Sequence, residues 1–342
     1  MIEGEREIWL CLSGGNALGA YHAGAYESLA AAGVTPTRIA GASIGAIVGA
    51  LIAGNAPENR VGRLRQFWDR AAQQQTVLPL FSFLTPRMGE WLSLLQTIAY
   101  GRTGLFRRIL PNLLPLLPGT HSPPYLFDTS PLRKTLSDLI DFGRLSNGPV
   151  RLLASAVDME TGEDVTFDSH AGGIEVDHLL ASAAFPIAFP PVRIGERIYV
   201  DAGVSANLPI EPLCEGSSPK DVLCVALDLV TAHGKAPRSL DDAVGRAHDL
   251  IFASQSRHAL QRVMRSKTSA SSGGITIVYL SYDGSGQEIG GKSLEFSTHS
   301  IRRRWAAGKA DMQKALASLA DLPTSPGCSI HHLRGGSLQL RD

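Results

Sequence analysis

The sequence predicts an α/β fold, a mainly parallel sheet with helices on both faces, and three observations carry that expectation. An apolar run at residues 8–12 is followed by the turn Ser13-Gly14-Gly15-Asn16 and then by residues 17–32, which have the composition and length of a helix. Ile39 and Ala40 lead into Gly41-Ala42-Ser43-Ile44-Gly45, after which Ile47, Val48, Ala50, Leu51 and Ile52 continue with helical character. Residues 221–230 alternate Leu223, Val225, Leu227 and Leu229 with Cys224, Ala226 and Asp228, a run suited to burial on both faces, as in a parallel sheet.

Composition narrows the function classes. The 342 residues are 44% hydrophobic and 19% charged, which is globular and ample for a buried core. Thirty-two basic residues balance thirty-two acidic ones, so no global field draws nucleic acid and no nucleic-acid partner is expected. Cys11, Cys214, Cys224 and Cys328 are scattered without a metal or redox spacing and read as reduced thiols. The N-terminus is acidic and runs straight into a strand, unlike a secretory leader, and no window reaches the length of a membrane span. A cytoplasmic protein is expected.

Taken in order, the first helix stops at Gly33, a natural C-terminal cap. Residues 60–75 read as a surface helix with Leu64, Phe67 and Trp68 on its inner side. From about 77 to 119 leucine, proline and phenylalanine dominate, Met88, Trp91, Leu92 and Leu95 fall at helical spacing, and Arg87, Arg102, Arg107 and Arg108 outnumber Glu90. Such a segment can be a lid or a surface for anionic lipid; the simpler reading is a cap whose apolar side completes the core, or a dimer contact.

Asp128 or Ser130 caps a helix entered through Pro131 and running through Leu139. Residues 150–157 and 165–167 form a hairpin about the turn Asp158-Met159-Glu160-Thr161-Gly162, which Asp158 serves. A helix at 178–184, an irregular apolar wall at 185–191 and a strand at 198–200 lead to Asp201-Ala202-Gly203. Ser239 caps a long helix reaching about Lys267, with Arg246, Arg257, Arg262, Arg265 and Lys267 on a solvated face. Residues 275–282 form a last strand, residues 301–319 a terminal amphipathic helix with Trp305, Met312 and Leu316 inward, and residues 321–342 a weakly ordered tail.

Chemistry concentrates at the two glycine turns. Gly41 and Gly45 flank Ser43 where a strand bends sharply into a helix, the context of a nucleophile elbow, and the helix N-terminus behind it offers N–H groups and partial positive charge. The first turn offers free amides to an anion. Gly14, Asn16 and Gly19 have the spacing of a dinucleotide fingerprint, but its middle glycine is replaced and Arg38-Ile39-Ala40-Gly41 lacks the expected carboxylate. A developing oxyanion fits better: amides near Gly15 and Asn16 would hold the oxygen while Ser43 attacks an acyl carbonyl.

The run Ser13-Gly14-Gly15-Asn16-Ala17-Leu18-Gly19-Ala20 followed by Gly41-Ala42-Ser43-Ile44-Gly45 resembles the patatin-like phospholipases. Asp201-Ala202-Gly203, with Phe189-Pro190-Pro191 before it and Asn207-Leu208-Pro209 after it, is similar to that family's second motif. Three positions depart from the family pattern: Asn16 for a third glycine, Leu18 for a basic residue and Ala202 for glycine. The resemblance implies a three-layer domain over residues 1–320, with the 77–119 hydrophobic helical cap or lid and an extension of the domain over about 215–320. It implies a lipid acyl hydrolase with Ser43 as nucleophile, Asp201 as general base, Gly14, Gly15 and Asn16 as the oxyanion hole, and Gly19, Gly41, Gly45 and Gly203 as supporting motif residues. No metal or other cofactor is called for. Lipid or another acyl ester is the expected substrate, with contact at a lipid surface and self-association left open. Two alternatives stand beside this reading. One is a catalytically impaired lipid-binding or regulatory protein; the other is a Ser-His-Asp hydrolase drawing on His233, His248, His258, His299, His331 or His332.

Overall fold

The computed structural model describes residues 6–73, 85–109, 125–215, 221–266, 274–284, 287–319, 327–334 and 337–340. The first half runs β1 (Arg6–Leu12), α1 (Ala20–Ala31), β2 (Arg38–Ala42), α2 (Ile44–Ala53), α3 (Pro57–Ala72), α4 (Pro86–Tyr100), β3 (Gly101–Arg102), β4 (Phe106–Arg108), β5 (Phe127–Asp128), α5 (Ser130–Leu139) and α6 (Phe142–Asn147). The second half follows with β6 (Arg151–Asp158), β7 (Asp164–Asp168), α7 (Val176–Ser182), β8 (Val192–Ile194), β9 (Arg197–Asp201), α8 (Ile210–Cys214), β10 (Asp221–Asp228), α9 (Leu240–Ser266), β11 (Ile275–Ser281), α10 (Thr298–Leu319), β12 (Cys328–Arg334) and β13 (Ser337–Leu340).

The large sheet has the order β13-β12-β11-β10-β1-β2-β6-β9-β8, with β7 also paired to β6. From β12 through β6 every neighbouring pair is parallel, and β7, β8, β9 and β13 add antiparallel pairs. Alternation along the central strands divides the interior in two. Ile8, Leu10, Leu12, Leu223, Val225 and Leu227 face one core with α1, α2 and α3, whereas Trp9, Cys11, Val222, Cys224 and Ala226 face a second with α8 and α9. Helices therefore cover both faces, and the near-continuous apolar strands are the consequence. Among the described residues no helix is long and apolar enough to cross a membrane.

Several local readings hold. Gly33 adopts a left-handed φ of 74° after α1, Leu64, Phe67 and Trp68 are buried on α3, and β6 and β7 pair as a hairpin. Asp158 accepts hydrogen bonds from the Glu160 and Thr161 N–H groups, so it does serve the turn. Two readings fail. The expected tail contains β12 and β13, and β11 is not the last strand: residues 275–279 of β11 pair in parallel with residues 328–332. The edge of β11 presents unpaired backbone groups that a short alternating segment can satisfy, and Ile330 is fully buried there.

Of the cap, residues 77–84 and 110–119 lie outside the described residues. The helix at α4 forms, but Met88, Trp91 and Leu95 are exposed instead of completing the core. Its inner side is polar: Ser93 and Thr97 accept hydrogen bonds from the buried Arg102, and Glu90 accepts one from Arg303 on α10 at 2.5 Å. Helical spacing identifies a stripe without saying which stripe faces in. Here a desolvated guanidinium claims the polar one.

The extension is joined to the N-terminal half where α1 crosses α10. A Cβ on Gly24 would lie 1.9 Å from the Trp305 carbonyl oxygen, and one on Gly308 would lie 2.0 Å from that of Tyr21. These backbones touch because both positions lack side chains. Alanine at an unconstrained helical glycine stabilises by up to ~1 kcal/mol, so the sign of its effect is diagnostic. Gly308→Ala is expected to lower stability by roughly 1–3 kcal/mol, seen in urea denaturation as a lower midpoint at unchanged m value.

Candidate active site

Ser43 and Asp201 meet because of a register along β6. On one edge of β6, β2 pairs in parallel as far as Ala42 opposite Ser155. On the same edge β9 then pairs antiparallel, with Asp201 opposite Ala156, the next residue along. β7 occupies the other edge, pairing Ser155 with Thr166 and Ala156 with Val165. Two strands thus run head-on beside β6, and both chains leave the sheet where they would collide. Ser43 stands at one exit and Asp201 at the other.

Ser43 has φ 54° and ψ −124°, a strained backbone for a residue with a side chain, and it precedes the first turn of α2. Strain of this kind costs about 1–3 kcal/mol and persists only where the surroundings enforce it. Gly45 enforces it from one side, since a Cβ there would lie 2.2 Å from the Leu12 carbonyl oxygen. At Gly41 a Cβ would lie 2.4 Å from the Ala46 nitrogen. From α7, the Ser182 hydroxyl accepts the Ser43 N–H at 3.0 Å.

Asp201 is buried, with a side-chain oxygen accepting the Gly203 N–H at 2.7 Å and the Ser43 side chain near enough to act on its pKa. Burial pushes its pKa up to about 7, against the Gly203 N–H and the Ser43 side chain, which work to lower it. No cation among the described residues forms an ion pair with it. A carboxyl in that range can exchange protons at neutral pH.

The glycine turn after β1 lies beside them. The Gly14 N–H donates to the Asn207 carbonyl at 3.1 Å, so this expected oxyanion donor is already engaged. Gly14 instead makes room: a Cβ on it would meet the Asn207 side-chain oxygen at 2.5 Å and the Ser43 Cβ at 3.1 Å. Gly15 and Asn16 N–H groups have no hydrogen-bond partner among the described residues. Asn16 sits at φ 52°, a region asparagine tolerates better than most side chains, so replacing glycine has not cost the turn its amide. Leu18 and Ala202, the other two departures, are buried. Gly19 admits Ile44, whose side chain a Cβ would meet at 2.5 Å, and Gly203 supplies the N–H on Asp201.

Further residues position the two loops: Asn207, from the Asn-Leu-Pro run of the second motif, and two that the sequence did not single out as positioning residues, Gln255 and Arg304. The Asn207 side chain donates to the Gly14 carbonyl at 3.3 Å, and its N–H donates to Gln255 on α9 at 2.9 Å. Gln255 also donates to the Gly203 carbonyl at 3.2 Å, so one side chain from the extension ties both motif loops together. Arg304, fully buried on α10, donates to the Ala17 carbonyl at 3.2 Å, just beyond the glycine turn, while Glu288 pairs with its guanidinium at 2.7 Å.

A cavity of about 560 Å³ opens onto Gly15, Asn16, Ser43 and Asp201, with walls of Ile47, Leu105, Phe106, Phe127, Phe189 and other apolar side chains. It is large and greasy enough for an acyl chain. Among the described residues lining it His248 is the one histidine, and its ring nitrogens meet Ser293 and Asp249, not Ser43.

Residues 10–214 match the family model of the patatin-like phospholipases. This chain belongs to the patatin-like phospholipase family. Residues 228–323, the extension carrying α9, β11 and α10, match a second family model described as a patatin phospholipase. The chain is 29% identical over 214 residues to the uncharacterized protein YqhO of Bacillus subtilis, covering 58% of this chain and 64% of that one. It is 27% identical over 223 residues to an uncharacterized NTE family protein of Mycobacterium bovis, covering 65% and 30% respectively. It thus spans just under two thirds of the first relative and less than a third of the second. Among solved structures it is similar to VipD from Legionella pneumophila, at 14% identity and a TM-score of 0.43, covering 92% of this chain and 67% of that one.

The buried carboxyl of this patatin-like protein carries a stability cost with a definite sign. Its pKa lies above the ordinary 3.8, so the folded state holds the proton more tightly than the unfolded chain does. Stability therefore falls as pH rises from about 4 through about 7, and the penalty is complete above that. Asp201→Asn is expected to raise the melting temperature at pH 8 and to leave it nearly unchanged at pH 4, the difference corresponding to on the order of 2–4 kcal/mol.

Proposed function

We propose that this member of the family is a serine acyl-ester hydrolase working through a Ser43–Asp201 dyad and an acyl-enzyme. Asp201 takes the proton from the Ser43 hydroxyl as its oxygen attacks the carbonyl carbon of an ester. The Gly15 and Asn16 amides, with the α2 N-terminus behind the serine, stabilise the tetrahedral oxyanion. Asp201 returns the proton to the departing alcohol, leaving the acyl group on Ser43. Water then repeats the sequence and releases the carboxylic acid. The observation that carries this reading is the placing of Ser43 beside the buried Asp201 carboxyl, at the meeting of two strand ends on the wall of an apolar cavity.

The cavity supports a fatty acyl substrate, and a lipid acyl hydrolase acting at a lipid surface is the form of the activity we favour. The described part of the 77–119 segment contributes Ile98, Leu105 and Phe106 to the cavity, which supports its role as a cover over the bound chain. Asn16 keeps a free amide despite replacing glycine, which supports an active enzyme over an impaired one.

A series of p-nitrophenyl acyl esters from short to long tests the reading. Ser43→Ala is expected to lower kcat/KM by at least ~10³-fold and Asp201→Asn by about 10²–10⁴-fold, with longer chains preferred. Because the carboxylate is the base, wild-type kcat/KM should rise about tenfold per pH unit below about 7 and level off above it. Undiminished turnover in either variant overturns the dyad.

A further inference from the structure

A second serine in the same cavity has the attributes of an activated nucleophile. Ser293 lies in the short 3-10 turn Lys292–Leu294, and its hydroxyl is 2.8 Å from Nε2 of His248 on α9. Nδ1 of the same ring is 3.3 Å from Asp249 Oδ1. Lys292 Nζ is 2.6 Å from that oxygen and fixes the carboxylate in place. His248 and Ser293 both line the cavity that Ser43 opens into, and Phe252, one turn along α9, packs on the imidazole at a centroid distance of 4.8 Å.

The proton positions follow from the charges. Burial works to raise the Asp249 pKa, but the His248 hydrogen bond and the Lys292 charge outweigh it and hold the carboxyl below its usual range. An ionised Asp249 accepts only, so the neutral imidazole carries its proton on Nδ1 and turns the Nε2 lone pair toward Ser293. The Ser293 hydroxyl is then the donor in the 2.8 Å bond. That is the tautomer a general base requires; the reverse tautomer would donate to the serine and leave it inert.

We infer that Ser293, His248 and Asp249 form a second nucleophilic site, reactive toward carboxylic esters and other acyl donors that enter the cavity. Ser293 Oγ forms a bond to the acyl carbon, its proton passes to His248 Nε2, and the ester C–O bond breaks as His248 hands that proton to the departing alcohol. Water, deprotonated by the same imidazole, frees the acyl group as the carboxylic acid and restores the serine. The free amides of Gly15 and Asn16 belong to the turn beside Ser43. Ser293 therefore works without those oxyanion donors, and its reactivity should be about 10²–10³-fold lower than that of Ser43. The inference is independent of the Ser43–Asp201 dyad, since it draws every group from the extension.

An alkyl fluorophosphonate reads each serine separately. Attack forms an Oγ–P bond, expels fluoride and passes the hydroxyl proton to the base, and the adduct is assigned by peptide mass spectrometry. The full-length Ser43→Ala protein is expected to acquire the adduct on the Ser293 peptide, about 10²–10³-fold more slowly than wild type acquires it on Ser43. Adding His248→Ala or Asp249→Asn should slow Ser293 labelling at least tenfold, and adding Ser293→Ala should abolish it, with far-UV circular dichroism confirming the fold. A folded Ser43→Ala protein that shows no Ser293 adduct after prolonged incubation overturns the inference. So does labelling that is indifferent to both His248 and Asp249. The dyad is judged independently, by the adduct on the Ser43 peptide of the wild type.

Discussion

The edge of β6 is shared by two strands that approach each other head-on, and the site depends on that arrangement. A parallel strand and an antiparallel strand occupy consecutive positions on one edge, with Ala42 opposite Ser155 and Asp201 opposite Ala156. Neither can continue without striking the other. Both backbones therefore turn out of the sheet at the same point, which brings the serine and the carboxylate to one place. Sheet register is fixed strongly when both faces are buried, because a slip of one residue would turn an apolar side chain away from its core. The placement of Ser43 relative to Asp201 is thus inherited from the packing of a two-faced sheet.

Around that point, glycines set distances and buried polar groups set energies. Gly45 brings the start of α2 against the end of β1, and Gly14 leaves space for Asn207 and Ser43. Burial raises the proton affinity of Asp201 to about 7, with no cation paired to it among the described residues, and costs stability when it ionises. The extension offsets part of this cost by bracing the loops: Gln255 bridges Asn207 and Gly203, and Arg304 reaches the carbonyl of Ala17. Its contribution is to hold the glycine turn after β1 and the Asp201 loop from outside the segment that carries both motifs.

The departures from the family pattern are absorbed locally. Asn16 occupies the left-handed region without giving up its amide, and Ala202 is buried where the chain leaves β9 in a 3-10 turn. What the turn needs is a backbone N–H pointing outward, and more than one residue type can supply it.

Ser43, the strands and helices on either side of it, the β6–β7 hairpin and the long helices near the C-terminus were legible in the sequence. Each follows from local physics: glycine at tight bends, apolar periodicity and the alternation of doubly buried strands. Asp201 was legible through its resemblance to a known motif. The engaged Gly14 amide, the roles of Asn207, Gln255 and Arg304, and the meeting of His248 with Ser293 were not, since their partners lie far away in the chain. The outward stripe of α4 and the pairing of β12 with β11 belong with them. Periodicity shows that a helix has two faces, but the buried Arg102 and the half-buried Arg303 decide which face turns in; a short terminal segment becomes a strand because an open sheet edge lies beside it. By itself the sequence determined the elements and the turn that holds the serine. Only the tertiary structure decided what that serine meets, because hydrogen bonds and desolvation act between groups that chain order keeps apart.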